Sequence, residues 1–408
     1  MKYVTYYALV IGILCLLLSG CRAVDKDNVF EMPEEELEAM TVDPAEDTEN
    51  EEGMTEKTQE EPETGPSEMP YTAELTALSI DPAYPYGNMQ KNLPPGSFME
   101  YENRILFTHI DGKHSRPCLY EIDMDTLEVT PFCKDATCSH QNPKCTALGV
   151  EMNLEVYDGK VYALKSEIDP RSGARTSKVM RLSGDHFECI LEGDCELFWH
   201  ADHHLYVTTS DRSLLAYTEE DMSSPQVLMD EYTYFWNTKF GSKIYGTNVV
   251  SGVYCTDLSD PEPESKQLPC PGVTGITDGR YIYSIDQDNY LYCSDMNGEN
   301  IEKPYDVPIL LASLNFDDDY IYFRYFGDGM YGEQSNEVYR APKTNLAEPE
   351  KIAEVSGYAY TIYTVPGYDT IFVQTYGAKS DQWGNPIPDV CAVKKDGSGQ
   401  VMLEIPDF

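Results

Sequence analysis

One short motif recurs seven times between residues 102 and 372, and it constrains the fold more than any other feature. Each copy is a polar turn followed by an alternating apolar strand with a central aromatic residue. Successive aromatic residues are 55, 44, 39, 38, 39 and 50 positions apart. They are Phe107, Tyr162, Tyr206, Tyr245, Tyr283, Tyr322 and Phe372. A repeat of about 40 residues with several short strands is typical of one blade of a β-propeller.

A second alternating strand follows the motif and ends in a polar turn, as in Val253-Tyr254-Cys255 and Leu291-Tyr292-Cys293. We therefore predict an all-β fold, a single propeller of seven four-stranded blades over residues 73–408. The alternatives are a β-sandwich or two separate all-β domains. Neither would repeat one motif seven times at such even spacing.

The repeat over roughly residues 96–408 resembles the TolB-like propellers found in lipoproteins of Gram-positive gut bacteria. The resemblance implies a propeller. It implies no particular activity, because such propellers carry many functions.

The N-terminus has the pattern of a signal peptide. Lys2 precedes an unbroken apolar run from Ala8 to Leu18, which matches the apolar region of a signal and is too short to cross a bilayer. The sequence Leu18-Ser19-Gly20-Cys21 is similar to the lipobox of bacterial lipoproteins. We predict a signal peptide over residues 1–20 and a lipid on the Cys21 thiol that anchors the protein to the outer face of the cell membrane. The alternative is a cleaved secretory signal with an incidental cysteine.

Residues 21–72 have the composition of a disordered tether. They are rich in Glu, Thr and Pro and almost free of aromatic residues, so they cannot bury enough apolar surface to fold. The whole chain has a formal net charge of −42, which makes nucleic acid and anionic lipid head groups poor partners.

The most unusual local pattern is Cys133-x4-Cys138-x-His140-x4-Cys145. Because export permits disulfides, the preferred interpretation is one disulfide, either Cys133 to Cys138 or Cys138 to Cys145. The alternatives are a structural zinc site, for which three thiolates and an imidazole are a suitable ligand set, and separate thiols. No other cofactor is expected.

Other polar clusters are interpreted as structural. His200-x2-His203-His204 is expected in a solvated turn of blade three. Asp286-x-Asp288 and Asp317-Asp318-Asp319 match no EF-hand loop and are expected to be plain turns, with calcium bound through carboxylate oxygens as the alternative. Cys189 and Cys195 are close enough in sequence to form a disulfide. The alternative is that both remain separate thiols. The sequence contains no G-x-S-x-G, H-E-x-x-H or P-loop motif.

The extra chain is predicted to gather on one face of the ring. With strands a to d numbered from the axis outward, the b–c and d–a connections share one face. The b–c connections are long in blades two, six and seven, at residues 169–177, 327–336 and 377–388. Their candidate ligand-binding residues, of the Arg and aromatic types favoured in recognition, are Arg171, Arg175, Tyr331, Tyr376 and Trp383.

These features favour a surface lipoprotein whose propeller is a non-catalytic binding module for a protein, peptide or glycan. One alternative is an extracytoplasmic hydrolase or lyase with a site at the mouth of the propeller channel. Another is a structural component of the cell envelope without a small ligand.

Overall fold

The computed structural model describes residues 98–407, except for short segments. These segments are 112–115, 134–137, 139, 141–144, 149–152, 169–174, 219–220, 231, 233–235, 249–251, 273, 311–312, 327–334, 366 and 381–385. The predicted signal peptide, Cys21, the predicted tether and the boundary at residue 73 lie outside the described residues. None of the described residues belongs to a helix long and apolar enough to cross a bilayer.

The described strands form seven antiparallel sheets, each made of consecutive strands, which are the seven blades of a propeller. Blade one contains β1 (Phe98–Tyr101), β2 (Arg104–Asp111), β3 (Arg116–Asp123) and β4 (Val129–Pro131). Blade two contains β5 (Leu154–Tyr157), β6 (Lys160–Ile168), β7 (Arg175–Ser183) and β8 (His186–Gly193). Blade three contains β9 (Leu197–Ala201), β10 (His204–Thr208), β11 (Leu214–Thr218) and β12 (Asp221–Met229).

The remaining blades follow the same order. Blade four contains β13 (Trp236–Phe240), β14 (Lys243–Asn248), β15 (Gly252–Asp257) and β16 (Ser265–Gln267), and blade five contains β17 (Thr274–Thr277), β18 (Tyr281–Ile285) and β19 (Leu291–Asp295). Blade six contains β20 (Asn315–Phe316), β21 (Tyr320–Phe323), β22 (Glu337–Pro342) and β23 (Glu350–Glu354). Blade seven contains β24 (Tyr358–Thr364), β25 (Thr370–Ser380), β26 (Pro386–Lys394) and β27 (Gln400–Met402).

The predicted seven-bladed, all-β fold is therefore confirmed, with one local difference in blade five. Where its fourth strand would lie, Cys293 and Glu302 exchange two backbone hydrogen bonds of 2.8 Å as an isolated bridge. Pro304 follows closely and has no N–H to donate to a ladder. The pairing consequently stops after a single residue pair.

The repeated aromatic residue has the same role in every blade. All seven lie on the second strand of their blade and are buried. The described core divides into seven apolar clusters, each of which joins two neighbouring blades. The even spacing in the sequence therefore reflects one packing position that is used seven times.

The ring closes between blades one and seven through side chains. Phe98 of β1 stacks on Phe107 of its own blade and on Phe372 of blade seven, with ring centroids 4.9 Å apart in both pairs. The Tyr120 hydroxyl donates to the carbonyl oxygen of Pro406 over 3.1 Å. Among the described residues, each blade is built from one continuous stretch of chain, so aromatic packing and such hydrogen bonds hold the two ends together.

Candidate metal centre and the loop face

We call the face that carries the b–c and d–a connections the loop face, and the opposite face the turn face. The second and third strands reach furthest toward the loop face in blades seven, one and two. Strands β25 and β26 have 11 and 9 residues, β2 and β3 have 8 each, and β6 and β7 have 9 each. The corresponding strands of blades three, four and five have five or six residues.

In blade seven, much of the extra chain that was expected as a long loop therefore forms strand, and in blade two residues 175–177 of the expected loop belong to β7. Residues 375–380 and 386–389 continue the hairpin of blade seven through an irregularity between Tyr376 and Ser380. Each extra strand residue adds about 3.3 Å, so three extra residues make a hairpin about 10 Å longer than those of blades three and five. We call the three contiguous hairpins of blades seven, one and two the extended hairpins.

A buried histidine joins two of the extended hairpins. The Nε2–H of His109 on β2 donates to the carbonyl oxygen of Pro388 on β26 over 2.7 Å. No hydrogen-bond partner of Nδ1 lies among the described residues. Burial lowers the pKa of His109, and this effect exceeds the opposing effect of the hydrogen bond to Pro388. The imidazole is therefore neutral at pH 7.

The cysteine segment, residues 133–146, interrupts the outer edge of blade one. The Phe132 N–H donates to the Leu119 carbonyl oxygen over 2.9 Å, and the Leu119 N–H donates to the Ala147 carbonyl oxygen over 2.9 Å. Leu148 then forms an isolated bridge with Cys118. Both ends of the cysteine segment are therefore fixed at Leu119 on β3, on the side of blade one that belongs to the loop face.

The described residues of this segment bring the four sequence-predicted ligands together. One side-chain atom of each of Cys133, Cys138, His140 and Cys145 lies within 4.8 Å of all the others. The Cys145 Sγ atom is 3.6 Å from Cys133 Sγ and 3.4 Å from His140 Nδ1. Such a cluster can hold a metal ion.

The structure differs from the preferred expectation of a disulfide in this segment. None of the three cysteines is part of a disulfide. Neither of the expected pairings, Cys133 to Cys138 or Cys138 to Cys145, is formed. The Cys133 and Cys145 sulfur atoms are also not bonded, because their distance of 3.6 Å is far longer than a disulfide bond of about 2.05 Å. The physical reason is that the four side chains gather around a common centre, with ligand atoms within 4.8 Å of one another, rather than in one bonded pair.

Burial shapes the electrostatics of the cluster. Burial raises the pKa of the Cys145 thiol to about 12, and the neighbouring sulfur atoms of Cys133 and Cys138 add to the increase. A divalent cation at the centre would reverse this preference, because it would stabilise the thiolate form of each ligand.

The candidate ligand-binding residues are only partly described. Arg171, Tyr331 and Trp383 lie outside the described residues. Arg175 is the first residue of β7, where it pairs with Ile168. Tyr376 on β25 is half-buried, and its ring contacts the edge of Tyr360 at a centroid distance of 5.1 Å. Arg175 and Tyr376 belong to extended hairpins on either side of blade one, so they share a face without any described contact.

Sequence reasoning did not identify a buried ionisable pair between blades two and three. His200 on β9 donates from its backbone N–H and from Nδ1 to the Glu155 carboxylate on β5, over 2.9 and 2.8 Å. Both side chains have 0% exposure, and the Tyr157 and Tyr162 rings cover the imidazole. The expected solvated turn is therefore wrong for His200, because β9 continues through Ala201 and the turn begins only at Asp202. The pair has no access to solvent and acts as a structural contact.

Two aspartates join blades on the turn face, and one of them, Asp317, belongs to an expected plain turn. The Oδ1 atom of Asp317 accepts hydrogen bonds from backbone N–H groups of its own turn. Its Oδ2 atom accepts from the Tyr322 hydroxyl over 2.7 Å and lies 2.7 Å from the Lys395 ammonium of blade seven. The same combination of a turn aspartate, a tyrosine hydroxyl and a lysine of the next blade joins blades five and six, at Asp278, Tyr283 and Lys343. The turn face therefore uses its polar side chains to join blades.

Comparison with known proteins bears on the fold alone. No family model and no curated protein matches the chain. A puromycin-hydrolysing peptidase of Mycobacterium tuberculosis is similar over 80% of this chain and 56% of that chain, with 10% sequence identity and a TM-score of 0.52. The computationally designed Ika8 protein matches over 75% of this chain and 95% of its own, with 12% identity and a TM-score of 0.41. An oligogalacturonate lyase in complex with manganese matches over 60% and 85%, with 10% identity and a TM-score of 0.41.

Proposed function

We propose that the protein is an exported lipoprotein, anchored through lipid on Cys21, whose propeller binds a protein, peptide or glycan at the loop face. The observation that carries this proposal is the asymmetry between the two faces. Extended hairpins of three contiguous blades and the cysteine segment lie on the loop face. Rigid elements that project from a stable scaffold are a usual place for recognition residues.

Two further observations support binding over catalysis. The buried Glu155–His200 pair has the chemistry of a general base, but the Tyr157 and Tyr162 rings separate it from any substrate. On the turn face, the carboxylates of Asp278 and Asp317 form ion pairs with lysines of the next blade.

The proposal is tested by substituting Tyr376 with alanine. The full-length protein in detergent is applied to an array of peptides and an array of bacterial and host glycans. The Tyr376→Ala variant should bind its strongest ligand at least about tenfold more weakly than the parent protein, as expected for a central aromatic contact. Unchanged binding, or no ligand on either array, contradicts the proposal.

A matched control is available on the same face. Tyr290 is also a half-buried tyrosine, and it lies between β18 and β19 in the b–c connection of blade five. Tyr290→Ala should retain the affinity of the parent protein. An equal loss in both variants would place the ligand elsewhere and contradict the assignment to the extended hairpins.

A further inference from the structure

We propose that Cys133, Cys138, His140 and Cys145 form a closed, structural zinc site that fixes the cysteine segment on the loop face. The proposal does not depend on the binding function, because it concerns the ligands of one ion and can be tested without any other ligand. The ligand set is suitable, since three thiolates and an imidazole occur in tetrahedral structural zinc sites.

The described distances agree with a tetrahedral site. With bonds of about 2.3 Å from zinc to sulfur and about 2.0 Å to nitrogen, the edges of the tetrahedron are about 3.8 Å between sulfurs and about 3.5 Å from sulfur to nitrogen. The Cys145–Cys133 Sγ distance is 3.6 Å, and the distance from Cys145 Sγ to His140 Nδ1 is 3.4 Å. All ligand atoms lie within 4.8 Å of one another, so one ion can contact all four.

The backbone at His140 has a conformation that directs its N–H toward the sulfur of Cys138. His140 has a φ of 53°, a left-handed conformation that non-glycine residues seldom adopt. In this conformation the His140 N–H donates to Cys138 Sγ over 3.3 Å. A hydrogen bond to a metal-bound thiolate stabilises its charge and orients the ligand. This hydrogen bond places the His140 backbone against the Cys138 sulfur inside the cluster.

Contacts that involve no ion hold three of the ligands in place. Cys145 is buried in the apolar cluster that joins blades one and seven, and Cys133 and Cys138 pack against that cluster. The Thr146 hydroxyl donates to the Phe132 carbonyl oxygen over 2.9 Å, next to the bonds that both ends make with Leu119. Preorganisation of this kind lowers the entropic cost of closing the site.

The number of cysteines also favours a metal over a disulfide. Any disulfide within the segment would leave the third cysteine and His140 without a shared role, whereas one ion uses all four residues. Because all four positions of the tetrahedron are then occupied by protein ligands, none remains for a water or a substrate. The site is therefore structural and not catalytic.

The test is the metal content of the full-length protein, purified in detergent without a histidine tag. Elemental analysis should find about one zinc per chain, and Cys138→Ser and His140→Ala should each lower it several-fold. Cys189→Ser is the matched control, because Cys189 is an exposed thiol outside the cluster, and it should leave the zinc content unchanged. A content below about half an equivalent, or another metal in its place, overturns the proposal.

Two measurements protect the test against a variant that fails to fold. Mass spectrometry of the unreduced parent protein should show the masses of unlinked Cys133, Cys138 and Cys145 after zinc is removed, and a disulfide between any two of them overturns the proposal. Replacement of zinc by Co²⁺ in the parent protein should give the visible and near-ultraviolet absorption of a tetrahedral cobalt–thiolate centre. A six-coordinate spectrum without thiolate bands contradicts it.

Discussion

The imidazole of His109 in blade one donates to the carbonyl oxygen of Pro388 in blade seven over 2.7 Å, although the two residues are 279 positions apart. His109 pairs with Cys118 in the adjacent strand, and Cys118 forms a bridge with Leu148 at the end of the cysteine segment. A continuous series of hydrogen-bonded residues therefore runs from blade seven through blade one to the proposed zinc site. The hairpins of blades seven and one and the cysteine segment are linked to one another through this series.

We expect His109 to make the stability of the ring depend on pH. Its pKa in the fold is lowered by burial, and the groups that also act on it include Asp389 and Lys379 of blade seven. The unfolded chain takes up a proton near pH 6.5 and the folded chain does not, so the full contribution is present above pH 6.5. As the pH falls below this value, the free energy of unfolding should decrease by up to about 1.4 kcal/mol per pH unit.

Urea denaturation between pH 8 and pH 5 measures this effect. His109→Gln should reduce the slope, and it should lower the free energy of unfolding at pH 8 by about 1–3 kcal/mol. His186→Gln is the control, because the His186 side chain is 63% exposed, and it should keep the slope of the parent protein. An unchanged slope in His109→Gln would show that another group is responsible.

The ion pair between Asp317 and Lys395 predicts a second stability effect, on the turn face. Burial would raise the pKa of Asp317, but the hydrogen bonds from Lys395 and Tyr322 outweigh burial and hold the pKa below its ordinary value of 3.8. Its contribution is therefore present above pH 3.8 and is lost as the pH falls through the lower folded pKa.

Removing the lysine leaves a largely buried carboxylate without its ion pair. Lys395→Met should lower the free energy of unfolding at pH 7 by about 1–3 kcal/mol in urea denaturation. Lys394→Met is the control, since the side chains of Lys394 and its partner Asp369 are 44% and 77% exposed, and it should change stability by less than about 1 kcal/mol. Equal effects in the two variants would contradict a role for Lys395 in joining blades six and seven.

Lipid attachment predicts the behaviour of a Cys21 variant in cells. The wild-type protein should fractionate with membranes and incorporate a labelled fatty acid. Cys21→Ala should lose the label, because no thiol remains to accept diacylglycerol. Cys189→Ser serves as the control and should retain the label. Recovery of unlabelled wild-type protein in the medium would show a cleaved secretory signal instead.

The number and order of blades could be predicted from the sequence because each blade buries an equivalent aromatic residue. Phe107 and Tyr283 come from different blades but occupy the same position on the second strand, and this repetition is visible as a period. The ligand set of the cysteine segment was also visible, because its four residues lie within 13 positions of one another. Which bonds they form depends on how Leu119 fixes both ends, and short spacing contains no information on that.

Contacts between blades could not be predicted in the same way. His109 and Pro388 are far apart in sequence, and a single histidine in an alternating strand gives no signal of its partner. The expected long loops of blades two and seven contain residues that continue the strands, because antiparallel pairing persists as long as both chains stay side by side, as at Ile168 and Arg175. Periodicity identifies the strands but does not fix where a hairpin ends.

The buried pair of Glu155 and His200 predicts a further stability effect. His200→Phe removes the imidazole whose Nδ1 donates to the Glu155 carboxylate over 2.8 Å, at a place where both side chains have 0% exposure. We expect a loss of about 1–3 kcal/mol in the free energy of unfolding, measured by urea denaturation at pH 7, because a buried polar group loses a hydrogen bond. The double variant Glu155→Leu/His200→Phe should recover part of this loss, because replacing both partners of a buried hydrogen bond by apolar side chains costs less than removing one of them. If the double variant were less stable than His200→Phe alone, the loss would come from packing against the Tyr157 and Tyr162 rings rather than from the lost hydrogen bond.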